Sequence, residues 1–230
     1  MRIKQIFLTT LAALMPLFAA AQSADPAVSP TATYTDDDGH ETESASEVTG
    51  QAPLTVIFRA NPSGMDDYTP TYEWHFRREG EDRDMMVRYE EDTEYTFNDS
   101  GTTTVILKVS LGQEMELDST VFVVTISESK LTFPNAFSPN GDEYNPIYKA
   151  KEYQSLVEFH AYIFNRWGQK LFDWTDPSQG WDGTYQGHDV KEGVYFLLCK
   201  AKGADGREYH IRKDVNLLRG FTEESSYTNE

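Results

Sequence analysis

One cysteine in 230 residues excludes an intramolecular disulfide. It is Cys199, in the apolar run Tyr195-Phe196-Leu197-Leu198-Cys199, where a lone thiol reads first as a small buried hydrophobe. Stability must then come from core packing, and a chain of this length suffices for one or two modest cores. Long apolar runs are equally scarce. Beyond residue 21 nothing approaches the roughly 20 apolar residues of a membrane span, so none is expected in the mature chain. Cationic excess is missing too: 20 Lys and Arg stand against 38 Asp and Glu, a formal charge of −18. That field repels nucleic acid and anionic lipid, and favours solubility and cationic partners. Catalytic signatures are absent: there is no G-x-S-x-G elbow, H-E-x-x-H pair, phosphate loop or C-x-x-C. The five histidines, His40, His75, His160, His188 and His210, stand singly. The expectation is a non-enzymatic protein without cofactor or metal site.

What is present begins with Arg2 and Lys4, an apolar stretch from Ile6 to Phe18, and the small residues Ala19-Ala20-Ala21. Charged, apolar and small segments in that order lay out a secretory signal peptide over residues 1–21. No cysteine lies near that site, which argues against a lipid-anchored N-terminus. Residues 22–50 are rich in Ser, Thr, Ala, Pro and acids, including Asp36-Asp37-Asp38-Gly39, and are expected to form a disordered acidic linker. From Pro53 the pattern turns to period two. Leu54, Val56 and Phe58 alternate, then Tyr72, Trp74 and Phe76, then Thr103, Val105, Leu107 and Val109, then Val121, Val123 and Thr125. Asn61-Pro62-Ser63-Gly64, Asn98-Asp99-Ser100-Gly101 and Leu111-Gly112-Gln113 supply turns between them. Short alternating strands with such turns predict a β-sandwich over residues 51–129, with Arg77–Glu94 as a long loop or irregular edge. A second β-rich block covers 130–220. Val157, Phe159, Ala161 and Ile163 alternate, Val194–Cys199 reads as a fully buried strand, and Ala204-Asp205-Gly206 as a hairpin turn. Ile211, Lys213, Val215 and Leu217 make a last strand, and only Lys149–Leu156 offers a helical turn. Residues 221–230 form a polar tail.

Two resemblances follow from these motifs. Ala52-Pro53-Leu54-Thr55-Val56, Tyr72-Glu73-Trp74-His75-Phe76, Tyr95-Thr96-Phe97 with Gly101, and Thr104–Val109 resemble a PKD domain, an immunoglobulin-like sandwich. The chain departs from that family at Arg77-Arg78-Glu79-Gly80, where the usual Asp and first Gly after the Trp strand are missing. In the second block, Phe133-Pro134-Asn135-Ala136-Phe137-Ser138-Pro139-Asn140-Gly141-Asp142 comes first. Asn165-Arg166-Trp167-Gly168, Gly180-Trp181-Asp182-Gly183, Gly193-Val194-Tyr195 and Leu217-Leu218-Arg219 follow in order. This series resembles the gliding-motility-associated C-terminal domain, the type B sorting domain of the Bacteroidota type IX secretion system. The resemblance implies an all-β chain of two tandem immunoglobulin-like sandwiches, exported to the outer-membrane surface or beyond. Its implied partners are the secretion machinery or a companion outer-membrane barrel, with a protein or glycan ligand for the first sandwich. Glu143-Tyr144-Asn145-Pro146 after the turn, and a tail beyond Arg219, depart from the family pattern.

The same motifs have a purely structural reading. Asn140-Gly141-Asp142 and Trp181-Asp182-Gly183 are turn sequences. Trp167 and Trp181 are core fillers, and Arg166 pairs with Asp182 or stacks on a tryptophan. An enzyme with an unrecognised site is the remaining alternative, and Asp142 and Asp182 are the acids that would carry it. Calcium-independent folding is expected, because Asn140, Asp142 and Asn145 offer few of the 6–8 oxygens calcium takes. Thermal melts with millimolar calcium and with chelator should coincide; a large calcium-dependent rise in melting temperature would contradict this.

Overall fold

The computed structural model describes residues 25–112 and 115–220, and every regular element in them is a β-strand. The signal-peptide segment and the tail lie outside the described residues. The first half contains β1 (Ala27–Val28), β2 (Thr31–Thr35), β3 (Glu41–Ser44), β4 (Glu47–Gly50), β5 (Leu54–Arg59), β6 (Pro62–Ser63), β7 (Pro70–Arg78), β8 (Met86–Arg88), β9 (Thr93–Phe97), β10 (Gly101–Leu111) and β11 (Thr120–Ile126). A four-stranded sheet in the order β3-β2-β5-β9 faces a five-stranded sheet in the order β4-β11-β10-β7-β8. Trp74 lies at the centre, wholly buried, with Phe58 at 5.7 Å and Phe122 at 6.4 Å between ring centroids. Its indole N–H donates to the Glu90 carbonyl at 3.1 Å, so the one polar atom of the ring is satisfied.

The expected disordered linker is overturned. Residues 27–50 supply four strands of this sandwich, and β2 is an interior strand between β3 and β5. Composition misled because few residues of this stretch are apolar. Ala32 and Val48 are fully buried, Thr33 is buried beside Ala32 and Tyr34 packs against the core, while Glu41, Glu43, Glu47 and Thr49 face solvent. The Asp36 cluster closes the β2–β3 hairpin: its carboxylate accepts the backbone N–H of Asp38 at 3.0 Å and of His40 at 2.8 Å. In β11 the alternation has the opposite phase to the sequence pattern. Phe122, Val124 and Ile126 are buried, and Val121 and Val123 face out. Within Arg77–Glu94, β8 adds an edge strand against Trp74–Phe76, and Asp84 bonds both His75 (2.7 Å) and Arg77 (2.9 Å).

The second half contains β12 (Lys130–Thr132), β13 (Ala136–Phe137), β14 (Tyr148–Lys149), β15 (Glu152–Gln154), β16 (Leu156–Phe164), β17 (Lys170–Trp174), β18 (Gly180–Trp181), β19 (Thr184–Tyr185), β20 (His188–Asp189), β21 (Gly193–Gly203) and β22 (Glu208–Leu217). The main sheet runs β13-β22-β21-β16-β17, with β13 parallel to β22. Three short ribbons, β12–β15, β14–β18 and β19–β20, complete the domain. The core between them holds Phe137, Tyr148, Trp181, Ile163, Leu197 and Leu217. Cys199 is in that core, and burial pushes its thiol up to about 12. Lys149–Leu156 is not helical: it holds the end of β14, all of β15 and the first residue of β16, with Ser155 in a left-handed conformation at φ 44°. Nor is Val194–Cys199 fully buried. Tyr195, Leu197 and Cys199 point inward, and Val194 and Phe196 are exposed on the opposite face.

The two domains are joined by more than the short junction. The turn of the β21–β22 hairpin places Ala204, 6% exposed, in the core of the first sandwich, and Val157 packs there as well. The Ser100 N–H donates to the Ala204 carbonyl at 3.0 Å, and the Ala204 N–H to the Ser155 carbonyl at 2.9 Å. Ser155 Oγ in turn accepts the Ala52 N–H at 3.2 Å and lies 2.8 Å from Ser127 Oγ. A fragment of residues 51–129 lacks β2 and is therefore expected to show no cooperative unfolding. A fragment of residues 25–129 is expected to fold with a lower urea midpoint than the intact chain, because the Ala204 contact is lost. A cooperative transition in the shorter fragment would contradict this assignment.

Candidate functional site

Three of the motifs converge on Arg219. This residue follows β22, and its guanidinium reaches back across the end of the domain. Nη1 donates to the Pro139 carbonyl at 2.9 Å, Nη2 to the Gly183 carbonyl at 2.9 Å, and Nε to the Val190 carbonyl at 3.3 Å. Nη2 also meets the Asp189 carboxylate at 3.1 Å. Glu192 accepts the backbone N–H groups of Arg219 and Gly220, which hold its carboxyl below the usual range. A planar fork with several fixed donors satisfies separate carbonyls at once, which a lysine ammonium does not reproduce.

The loops that present those carbonyls are built for close approach. Gly183 has φ +80°, and a Cβ there would lie 3.0 Å from Pro139 Cγ and 3.1 Å from Leu217 Cδ1. Gly180 presses on the Tyr148 backbone so tightly that any Cβ would overlap its carbonyl oxygen. Asp182 accepts from the Thr184 N–H (2.9 Å) and hydroxyl (2.8 Å), fixing the turn after Trp181. Trp181 itself is fully buried against Phe137 (5.4 Å) and Tyr195 (5.0 Å), and its indole donates to the Thr184 carbonyl at 2.8 Å. Tyr195 bonds the Lys191 carbonyl at 2.7 Å, and Gly193 opens its strand at φ +145°.

The first motif lines the same wall. Phe133 stacks on Tyr148, whose hydroxyl donates to the Pro134 carbonyl at 3.1 Å. The Asn135 carbonyl accepts both the backbone and side-chain amides of Asn216. Asn140 and Asp142 bond each other around Gly141, with Nδ2 to Oδ2 at 2.7 Å, and Asp142 also accepts the Tyr144 N–H at 2.9 Å. Asp142 and Asp182, the acids singled out for the enzyme alternative, thus both hold turns. Leu218 is 43% exposed beside Arg219.

The Asn165-Arg166-Trp167-Gly168 motif is placed differently. It is the tip of the β16–β17 hairpin. Asn165 Oδ1 accepts the N–H groups of Trp167 and Gln169, both at 3.0 Å, and Gly168 supplies the positive φ. The proposed Arg166–Asp182 corner is not formed. Arg166 stacks instead on Trp167, 4.3 Å from the ring centroid, and Trp167 is 76% exposed rather than a core residue. The turn directs both side chains outward, beside a cleft of about 410 Å³ lined by Tyr185, Lys191 and Glu192. Of the two readings of Arg166, the pairing with Asp182 is not formed and the stacking on a tryptophan is, at the surface; the corner belongs to Arg219.

These placements predict opposite mutational behaviour. Arg219→Lys or Arg219→Ala is expected to lower stability by about 2–3 kcal/mol, because several carbonyls lose a charged donor. Arg166→Lys is expected to stay within about 0.5 kcal/mol, as for other surface changes. Urea titration of the intact protein measures both; equal midpoints for the Arg219 and Arg166 variants would contradict the assignment.

No curated protein matches the chain. Among solved structures, a Bacteroides ovatus mixed-linkage glucan utilization locus protein, SGBP-B, is 15% identical with a TM-score of 0.30, covering 85% of this chain and 48% of its own. The chain thus spans about half the length of that protein. A tetra-tandem repeat from the extending region of a large adhesion protein is 12% identical with a TM-score of 0.30, covering 86% of this chain and 68% of its own. Fibronectin(III)-like modules of Clostridium thermocellum CbhA are 13% identical with a TM-score of 0.22, covering 81% of this chain and 93% of their own. Residues 131–212, which contain the Pro139 and Gly183 loops and the Arg166–Trp167 tip and end before Arg219, match the family described as the CHU_C Type IX secretion signal domain.

Proposed function

We propose that the protein is a non-enzymatic cell-surface or secreted binding protein, whose C-terminal domain addresses it to the type IX route and whose PKD-like first sandwich is the displayed cargo. The observation that carries this reading is the family match over residues 131–212, the span that contains the outward-facing Arg166–Trp167 tip. A tryptophan left 76% exposed gives up hydrophobic stabilisation, and such residues mark surfaces that meet a partner. The Arg219 corner fixes the loops behind that surface, so the machinery meets a prefolded shape. In this reading Arg219 gives the domain its stability, and Trp167 and Arg166 are its address. The first sandwich supplies most of the acidity, with 6 basic and 23 acidic residues over 25–129 against 12 of each over 130–220. That field suits a cationic or neutral partner.

A second reading is supported by Ala204. Its burial in the first sandwich means that separating the domains would uncover apolar surface. This favours a C-terminal domain that is retained after export, docked on a companion outer-membrane barrel as part of an envelope complex. Fractionation with surface proteolysis, in a host that carries the pathway, tests the first reading. Wild-type protein is expected at the surface or in the medium, and Trp167→Ala is expected to accumulate in the periplasm while still folded. Periplasmic wild-type protein would overturn export; normal export of Trp167→Ala would overturn the role of the tip. Pull-down in mild detergent separates the second reading, since recovery of a free monomer without a barrel would count against it.

A further inference from the structure

The main sheet of the C-terminal domain is packed on one face only. Its other face carries an aromatic ladder along β16: His160, Tyr162 and Phe164, at alternate positions, all point the same way. The rings of His160 and Tyr162 are stacked at 4.1 Å, and those of Tyr162 and Phe164 are 6.2 Å apart. Phe196, 39% exposed, is the register partner of Phe164 on β21 and widens the platform. The ladder is held in place. Asp173 accepts from Lys170 Nζ at 2.8 Å and lies 3.1 Å from His160 Nε2, while His160 Nδ1 lies 2.9 Å from the Tyr162 hydroxyl. Lys170 Nζ also sits over the Tyr162 ring, 5.8 Å from its centroid. A shallow cavity of about 1080 Å³ covers the upper part of this face, lined by Phe164, Arg166, Phe196, Leu198, Arg212 and Asn216 among others.

From this arrangement we propose that the outer face of β16, β21 and β22 binds a neutral polysaccharide. A sugar ring presents one face of C–H groups, which stacks on an aromatic ring, and an equator of hydroxyls, which seeks hydrogen-bonding neighbours. Phe164 and its register partner Phe196 supply the stacking positions, and Tyr162, whose ring stacks on His160 and lies under Lys170, braces Phe164. Arg212, Asp214 and Asn216, all exposed along β22, supply donors and acceptors beside it. The charge pattern selects the class. On this face Lys200, Lys202 and Arg212 are balanced by Glu158, Glu208 and Asp214, as the 12 basic and 12 acidic residues over 130–220 are, so no net field draws a charged polymer to it. The clamp through Asp173 and His160 fixes the rings before binding, so little side-chain entropy is lost when a chain docks. This site is on the C-terminal domain and does not depend on how the protein is exported.

Affinity electrophoresis of the purified protein through gels containing soluble β-glucan, xylan, mannan or starch tests the proposal, with a polyuronate gel as the charged control. Retardation by at least one neutral polymer, and not by the polyuronate, is the expected result. Tyr162→Ala, Phe164→Ala and their double variant are expected to weaken retardation at least tenfold with melting temperatures close to wild type. Tyr89→Ala, at an exposed position of the first sandwich, is expected to leave it unchanged. Three results would overturn the proposal: no retardation in any neutral gel, retardation by the polyuronate alone, or retardation that the Tyr162 and Phe164 variants leave intact. Should those variants melt early, Phe196→Ser, on an exposed position of β21, gives the same reading: undiminished retardation would overturn the site.

Discussion

The C-terminal domain closes around a single guanidinium. Arg219 lies just beyond the last strand, and its donors meet carbonyls presented by loops that are far apart in the chain: Pro139 is 80 residues away and Gly183 is 36. Those carbonyls project from turns, and that of Gly183 also accepts the Val190 N–H at 3.1 Å. Left unbonded and partly buried, each would cost a desolvation penalty. One planar group removes several such penalties together, and it also sets the distance between the loops. The absence of a side chain at Gly183 then becomes obligatory, since a Cβ there would press on Pro139, Leu217 and the guanidinium itself. Trp181, immediately before this turn, is carried into the core by the same geometry.

The same hairpin links that corner to the rest of the molecule. β21 and β22 run from the Arg219 end to the opposite end of the domain, where Ala204 enters the first core. Close fitting is needed there as well. A side chain at Gly203 would collide with Ser129 and Asp205, and Ser129 Oγ is fixed by Asp205 (2.7 Å) and Tyr209 (2.8 Å). Ser155 accepts a left-handed backbone and directs its hydroxyl to Ala52 and Ser127. Polar groups that would otherwise lie at the junction without partners are paired across it, and the apolar contact is small. A joint of this kind fixes orientation more than it adds stability.

Much of this fold was legible in the sequence, and the exceptions have physical causes. Strands with large residues at alternate positions, such as Tyr72-Trp74-Phe76, were plain because the buried set is unambiguous. β2 and β4 were missed because the core opposite them is already filled by Phe58, Trp74 and Phe122, so that only Ala32 or Val48 fits beneath. The phase of β11 was misread because Val121 and Val123 suit a strand as well outside as inside. At the site, turn residues such as Asp142 and Asp182 act on near neighbours, and local sequence was enough to find them. Arg219 acts on carbonyls, which every residue has, so nothing in the sequence could name its partners. Arg166 attracted the pairing with Asp182 because opposite charges are visible in a sequence and backbone acceptors are not.

The apolar run Tyr195–Cys199 shows most clearly what a one-sided sheet does to sequence reading. A strand whose residues are all apolar is ordinarily buried on both faces. Here the inward set, Tyr195, Leu197 and Cys199, meets the ribbons and Trp181, while Phe196 and Leu198 lie on the outer face beside the β16 ladder. Among the described residues no second layer covers that face, yet its aromatic rings are clamped by Asp173, Lys170 and His160 rather than left free. Solubility alone would be served better by charged residues at those outward positions, as it is along β22 and at Lys200 and Lys202. The apolar character is therefore confined to the part of the sheet where rings stack and where the cavity lies. The outer sheet face and the hairpin tip meet at Arg166, which lines that cavity and stacks on Trp167.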